Sequence, residues 1–460
     1  MRDRLLAQLG PRDRSSFLLA TVIVALLAGC GDLTGRPPNV VLYVIDTLRA
    51  DGLGAYGGAK ATTPHIDEFA RQGVVFEQVW ASSSWTRASM ASILTGRHPW
   101  NHATAGRADR LPEDLTTLAA IFSERGYATA LVSANPNVGS VFGFDRTFDA
   151  TFELFTRSQP GVVRGAELVA TSEQVGGDAI GWIEAAPRPF LLVVLSIDPH
   201  SPYTPPRRFD PALERPGTRV TGLPASINRK DLSQRDKARI RELYRAEITY
   251  NDHSFGAVLK ALDEQGLRND TLVILTSDHG EEFWEHGRRG HGRALTEELL
   301  RVPLAIRHPM NPRVPAGGRI VHPGQSVDIL PTILDLVRVP VPDGVDGRSL
   351  LGTPRTPDEP LLAGLELDGI EMLTARDSRW KLVWDVRQSQ LQLYDLQTDP
   401  GERTAVDVTR DPLARAAQQR LRDALETDIR EGRQRRPERS QAGPLPQNVE
   451  ESLRALGYIE

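Results

Sequence analysis

Two adjacent residues, Asp278 and His279, close the apolar run "TLVILTSDHG" (271–280). A carboxylate and an imidazole side by side at a strand end cannot both enter a core, yet both can reach one ion as the chain turns. Oxygen and imidazole donors suit Zn, Mn or Fe, whereas calcium prefers oxygen alone. Asp46, at the end of "NVVLYVID" (39–46), offers a second carboxylate, and the Thr86 hydroxyl offers a fourth donor. Thr86 lies in "SSSWTRASMASILTGRHP" (82–99), which has the rhythm of a turn carrying a nucleophile into a helix that ends in Thr-Gly-Arg. One divalent metal held by Asp46, Thr86, Asp278 and His279 would acidify that hydroxyl and neutralise charge on an anionic ester. Of Mn, Zn and Ca, the imidazole favours a transition metal. Thr86 also fits as the N-cap of its helix, and the two roles are compatible because a helix N-terminus attracts an anionic ester.

The elements that must position these residues are legible as apolar runs. Four look like buried strands, at 39–46, 128–135, 189–200 and 271–280, and a fifth follows at 301–309. Their apolarity is continuous, as expected for strands covered on both faces. Helical patterns at 115–126, 173–185 and 233–265 alternate with them, which predicts a mostly parallel sheet with helices on both sides. Asp46, Asn135, Asp198 with His200, and Asp278 with His279 each sit at the carboxyl end of a strand, the edge where open α/β sheets bind ligands. From about 361 the pattern changes to hairpin strands and a helix at 412–432, a small α+β C-terminal subdomain. The expected organisation is therefore a catalytic domain at 39–358 and a subdomain with tail at 359–460, in which 432–447 is an Arg/Pro-rich exposed loop. There are no internal repeats.

Composition excludes several classes of function. The 460 residues are 40% hydrophobic and 25% charged with a net charge of −5, so the chain is globular and has no basic block to favour nucleic acid. The start differs. A cationic leader, "MRDRLLAQLGPRDR", precedes the apolar "FLLATVIVALLAGC", which has the length and flanks of a secretory signal segment. "LAGC" (27–30) resembles the bacterial lipobox, which would make Cys30 a lipidated N-terminus, residues 1–30 the signal peptide and 31–38 a tether. An inner-membrane signal anchor fits the same run. Cys30 is the only cysteine, so no disulfide or thiolate site is expected in the rest of the chain. The expected location is the bacterial cell envelope, periplasm-facing and attached to a membrane, the outer rather than the inner, through the lipid on Cys30.

Five ordered segments then carry a resemblance. "PNVVLYVIDTLRADGLGAYG" (38–57), "TRASMASILTGRHP" (86–99), "DPHSPYTPP" (198–206), "SDHGEEFWEHGRRGHG" (277–292) and "LYDLQTDPGE" (393–402) resemble the blocks of the sulfatase family, within the alkaline phosphatase superfamily. The resemblance implies an α/β/α sandwich and hydrolysis of sulfate or phosphate esters at a metal centre. It also implies site roles. Counted back from Thr95-Gly96-Arg97, Thr86 stands where the family carries the cysteine or serine that becomes formylglycine, with Ala88 and Met90 in place of its proline and arginine. His200 matches a histidine that contacts the anionic group, and His291 stands where sulfatases place a lysine, suited to assist the leaving group. Arg87 follows the nucleophile as an anion clamp or a surface residue, and Asn135 lies in "SANPN" where the family carries "GKWH". His286 with Glu282 would allow a second metal, while Asp252 matches a block of structural character.

The departures bear on chemistry. A threonine is no formylglycine precursor, Thr47 replaces the usual second aspartate, and Asp278-His279 replaces Asp-Asn, as in the phosphonate monoester hydrolases of the superfamily. A plain threonyl sulfate lacks the elimination route open to a formylglycine hydrate, so these changes pull toward phosphorus esters. The leading expectation is a metal-dependent sulfatase-family hydrolase with Thr86 as covalent nucleophile. The alternatives are a phosphodiesterase or phosphonate monoester hydrolase, an envelope phosphoglycerol or phosphoethanolamine transferase, and an inactive substrate-binding relative. Segments 145–172 and 205–235 are expected to set specificity.

Overall fold

In chain order the strands of the main sheet are β1 (Asn39–Ile45), β2 (Val74–Trp80), β3 (Ala128–Ser133), β4 (Ala150–Glu153), β5 (Phe190–Ser196), β6 (Thr271–Ser277), β7 (Arg301–Arg307), β8 (Gly318–Ile320) and β9 (Gly324–Gln325). They come from a computed structural model that describes residues 36–58, 62–156, 170–210 and 218–459. The signal segment, Cys30 and most of the tether lie outside the described residues, as do parts of both segments expected to set specificity. Among the described residues no helix is long and apolar enough to cross a membrane.

The strand order is β8-β2-β7-β6-β1-β5-β3-β4, with β9 also on β2. Pairing is parallel except that β7 runs antiparallel to β6 and β2. β1, β5 and β6 are buried at every position. Burial on both faces is what their uninterrupted Val, Leu and Ile content requires. The sequence pattern does not show four of these strands, β4, β8, β9 and the longest of them, β2. Its "VVFEQVW" mixes apolar residues with Glu77 and Gln78, so its period is broken, and only its partners β7, β8 and β9 make it a strand.

Among the described residues the longer helices that pack around this sheet are α1 (Pro64–Arg71), α2 (Thr86–Thr95), α3 (Leu118–Ser123), α4 (Ser172–Ala185), α5 (Gln234–Glu264) and α6 (Ile329–Leu336). Long α5 is tied to α1 by Asp252, whose carboxylate accepts the Ile66 amide at 2.7 Å and the His65 amide at 3.2 Å. That satisfies orphan donors at the start of α1 and bears out the structural reading of Asp252. α3 is shorter than its pattern suggests because Thr117 caps it, accepting the Ala120 amide at 3.2 Å. α2 is buried along its whole length, which its run of Ala, Ser and Met permits.

Beyond the sheet lies a second one, antiparallel, of β10 (Leu361–Leu367), β11 (Ile370–Arg376), β12 (Trp380–Asp385) and β13 (Gln390–Asp395). Helix α7 (Pro412–Arg433) covers it through Ala414, Ala417, Leu421 and Leu425. Residues 38–460 form one compact unit. The Arg/Pro-rich loop is largely exposed but pinned, since Ser440 and Gln441 pair with Arg110 and Asp109. The last helix among the described residues is α8 (Gln447–Ala455).

His102 braces α2 from the side. Its Nδ1 accepts the Thr104 amide at 3.1 Å, so Nε2 carries the proton and donates to the Ala88 carbonyl at 3.1 Å. Burial pushes its pKa down to about 3, against about 6.5 for a histidine in the unfolded chain. The folded state thus binds fewer protons. The stability is complete above about pH 6.5 and is lost as pH falls from there toward 3, by about 1.4 kcal/mol per unit. In thermal melts between about pH 6.5 and 4.5, His102→Gln should flatten the pH slope. An unchanged slope would remove His102 from this account.

Candidate active site

Parallel pairing brings the site together. Ile45 lies opposite Ser277 on one side and Ser196 on the other, so β1, β5 and β6 end at one level. Asp46 and Asp278 leave neighbouring strands there, and ligand atoms of Asp46, Asp278 and His279 lie within 4.8 Å of one another. All three residues are 0% exposed. Asp278 Oδ1 accepts the Thr47 amide at 3.1 Å and the His279 amide at 2.8 Å. Asp46 Oδ2 accepts from Asn135 Nδ2 at 2.6 Å. The other oxygens, Asp46 Oδ1 and Asp278 Oδ2, are buried without a hydrogen bond. Burial, and then the charge of Asp278, push the Asp46 carboxyl well above the usual carboxylate range.

His279 complements this pair. Burial lowers its pKa, so the ring is neutral, and Nδ1 donates to the Gly280 carbonyl at 2.9 Å. The lone pair is thereby left on Nε2, 3.3 Å from Asp278 Oδ2 and 3.2 Å from Thr86 Oγ1. Two orphaned carboxylate oxygens and a neutral imidazole nitrogen, with a hydroxyl beside them, are the donors a divalent cation takes. Thr86 reaches them as the first residue of α2. The N-cap is Trp85, which makes no side-chain cap, so the N-cap role expected for Thr86 is not formed. Ser89 Oγ, one turn on, donates to the Asp278 carbonyl at 2.5 Å and ties α2 to the end of β6. Thr47, in the position of the missing second aspartate, has φ 56, a left-handed conformation that a β-branched residue resists. Tyr244, donating to the Thr47 carbonyl at 2.8 Å, helps hold it.

Two histidines flank the cluster. The His200 ring lies 5.0 Å from that of His291, which lies 4.6 Å from that of His279. His200 Nδ1 donates to the Ser201 carbonyl at 2.5 Å, and its Nε2 is buried without a partner. Burial, reinforced by His291, lowers its pKa to about 3, so His200 is a neutral acceptor and not a proton donor. His291 Nδ1 faces Glu281 Oε1 at 3.2 Å, and Tyr203 donates to the other oxygen at 3.0 Å. Burial opposes ionisation of Glu281, yet His291 holds its pKa down at about 2. Glu281 was absent from the sequence reading, although it stands in "SDHGEE"; a carboxylate two residues from a presumed ligand carries no local mark of what it orients.

Other expectations are redistributed. Arg87 is buried, with donors committed to the Asp109 carbonyl at 3.1 Å and Asn137 Oδ1 at 2.8 Å, and its guanidinium 3.3 Å from the Phe142 ring centre. Clamping an anion would require giving those bonds up. Asp198 turns from the rim to cap α4, accepting the Ser172 amide at 2.7 Å. Glu282 accepts the His286 and Arg288 amides, both at 3.1 Å, so it does not meet the His286 ring. That ring faces Glu298 at 3.4 Å, near Glu402, which already has the Lys381 ammonium as its partner. One residue that lies against the cluster was missed outright. Tyr458 enters from the C-terminus, its hydroxyl 2.7 Å from Asn135 Nδ2 and 3.4 Å from Thr86 Oγ1.

A family model described as Sulfatase matches residues 38–339, well over half of the chain. The chain belongs to the sulfatase family. Among curated sulfatases, an arylsulfatase of Clostridium perfringens is 26% identical over 444 residues, covering 80% of this chain and 89% of its own. A Δ4,5-hexuronate-2-O-sulfatase of Bacteroides thetaiotaomicron is 26% identical over 431 residues, covering 84% and 87%. The phosphonate monoester hydrolase of Agrobacterium radiobacter superposes with a TM-score of 0.71 over 86% of this chain and 96% of its own at 22% identity, a likeness of fold. This sulfatase-family chain is an ester hydrolase on the alkaline-phosphatase-like fold, as its motifs imply.

If the orphaned carboxylates await a cation, two opposite effects follow from one substitution. Metal-free Asp46→Asn should melt above metal-free wild type, because it removes a buried carboxyl whose ionisation is opposed by burial and by the charge of Asp278. The same variant should bind Mn or Zn at least about a hundredfold more weakly and lose the rise in Tm on metal addition. Calorimetry and thermal melts check both effects; equal ion binding by the two proteins would exclude Asp46 as a ligand.

Proposed function

We propose that this sulfatase-family enzyme is a metal-dependent hydrolase of phosphate or phosphonate esters, with Thr86 as covalent nucleophile and Asp46, Thr86, Asp278 and His279 as the metal ligands. The observation that carries it is Thr86 Oγ1 lying 3.2 Å from a neutral His279 Nε2, beside two buried carboxylates that lack a counter-charge. A divalent cation bound there would supply Lewis acidity, favouring the alkoxide of Thr86 and neutralising the ester anion.

The remaining steps belong to the chain's own side chains. Thr86 Oγ1 attacks phosphorus, forming the Oγ1–P bond as the bond to the leaving oxygen breaks. His291, charge-partnered by Glu281, supplies a proton to the departing oxygen. Neutral His200, with Nε2 uncommitted, accepts a proton from the water that attacks phosphorus in the second half as the Oγ1–P bond breaks. Thr86 leaves as the oxyanion it began as, and His200 passes the proton on to the neighbouring His291, 5.0 Å away between ring centres, which resets both rings. Asn135 donates to an oxygen of the anion. Sulfate esters, the substrates of the named curated relatives, are the second reading. They are disfavoured here because a threonyl sulfate must be released by a second attack rather than by elimination.

Residues 31–460, supplied with Mn, Zn or Ca, should hydrolyse phosphate monoester, phosphodiester or phosphonate at least about tenfold faster than aryl sulfate. Thr86→Ala should lose about a thousandfold in kcat/KM, and mass spectrometry of quenched wild type should find phosphate on the peptide bearing Thr86. Undiminished hydrolysis by Thr86→Ala would remove the nucleophile. The same reading places the enzyme at the bacterial envelope, tethered through Cys30; palmitate labelling that persists in Cys30→Ser would overturn that attachment.

A further inference from the structure

The chain's own end occupies the space in front of the proposed nucleophile. α8 is anchored by buried Val449 and Leu453, and Ser452 Oγ donates to the Phe155 carbonyl at 2.7 Å. Gly457 then turns the chain at φ 79, and the Tyr458 amide folds back onto the Leu453 carbonyl at 2.8 Å. The Tyr458 ring inserts among Trp85, His200 and His291, with ring centres at 5.2, 5.1 and 6.2 Å. Arg107, itself paired with Asp368, donates to the Tyr458 carbonyl and clamps the tip from outside.

This placement conflicts with substrate binding. Reacting atoms in a productive complex lie about 3–3.5 Å apart, and the phenol oxygen already stands 3.4 Å from Thr86 Oγ1. It also takes the amide of Asn135, the donor an ester oxygen would use. With Tyr458 in place Thr86 is 0% exposed, so no ester reaches its hydroxyl. Tyr458 and Ile459 are held by the inserted ring, by Ile459 packed against the core and by the hydrogen bonds of Tyr458, whereas α8 is held through Val449, Ser452 and Leu453, so release of Tyr458 does not require the helix to unfold.

We propose that the tip of the C-terminal tail, Tyr458, is a built-in competitive plug: an anionic ester binds only when the phenol swings out about Gly457 and releases Asn135 and Thr86. The proposal rests on the reading of Thr86 as the reactive hydroxyl. It separates Tyr458 from a fixed wall or a proton donor that stays in place during the reaction. A plug closed nine parts in ten weakens apparent affinity about tenfold.

The test uses the metal-loaded chain with inorganic phosphate as the probe. Tyr458→Ala should bind phosphate about tenfold more tightly and lower KM by a similar factor, with kcat within about twofold of wild type. Arg107→Ala, which loosens the clamp but keeps the ring, should move both quantities the same way by less. In wild type, saturating phosphate should speed hydrogen exchange at the Tyr458 amide, which lets go of the Leu453 carbonyl, and leave the Leu456 and Gly457 amides, bonded to the Ser452 and Arg454 carbonyls, unchanged. A fall in kcat of tenfold or more in Tyr458→Ala with phosphate affinity unchanged would overturn the plug, as would exchange at the Tyr458 amide that slows or stays constant. Phosphate binding and exchange are read without turnover. If wild type hydrolyses no ester while the tip still opens, the plug stands and the reaction assignment falls; turnover with a tip that never opens gives the reverse.

Discussion

Two carboxylates, Asp46 and Asp278, are forced to the same buried spot by the register of β1 and β6, and among the described residues no cation pairs with either. Burying one uncompensated charge is costly, and burying two of the same sign is more so. Much of the surrounding architecture answers that cost. Backbone amides of Thr47 and His279 turn onto one carboxylate, the Asn135 amide onto the other, and a neutral imidazole presents its lone pair rather than a third charge. These partners satisfy some oxygens and leave two open, an arrangement that offers donors to an ion.

The second constraint is the burial of α2. Its first residue must project a hydroxyl into the cluster while the rest of the helix lies inside the molecule, and small side chains make that passage feasible. His102, Ser89 and the Gly96 turn fix the helix along its length, so Thr86 is placed by the rigidity of a whole element. The two histidines differ in surroundings for a related reason. His200 has only a carbonyl for a partner and is neutral, whereas His291 has the Glu281 carboxylate. Environment separates two otherwise similar rings.

Much of the fold and of the candidate site was legible because it is written locally. Continuous Val, Leu and Ile runs announced β1, β3, β5, β6 and β7, and their polar ends named Asp46, Asn135, His200, Asp278 and His279. β2 escaped because Glu77 and Gln78 break its period, and its pairing is a long-range fact. Arg87 was ambiguous because a residue name does not show which carbonyls surround a guanidinium. Glu282 was paired with the wrong partner because four residues of separation in a turn leave open whether its carboxylate meets the His286 ring or the backbone amides it accepts.

The sequence by itself determined the layered α/β design, the family blocks and the threonine ahead of Thr95-Gly96-Arg97, since each depends on residue type at short spacing. Only the tertiary structure decided which of these groups meet. Thr86 and His279 are separated by 193 positions, and Thr86 and Tyr458 by 372. Contacts of that range exist only once the sheet has aligned its strand ends and the tail has been laid over them. A short-range pattern can supply donors and acceptors, but the closure of long loops decides which of them share a cavity.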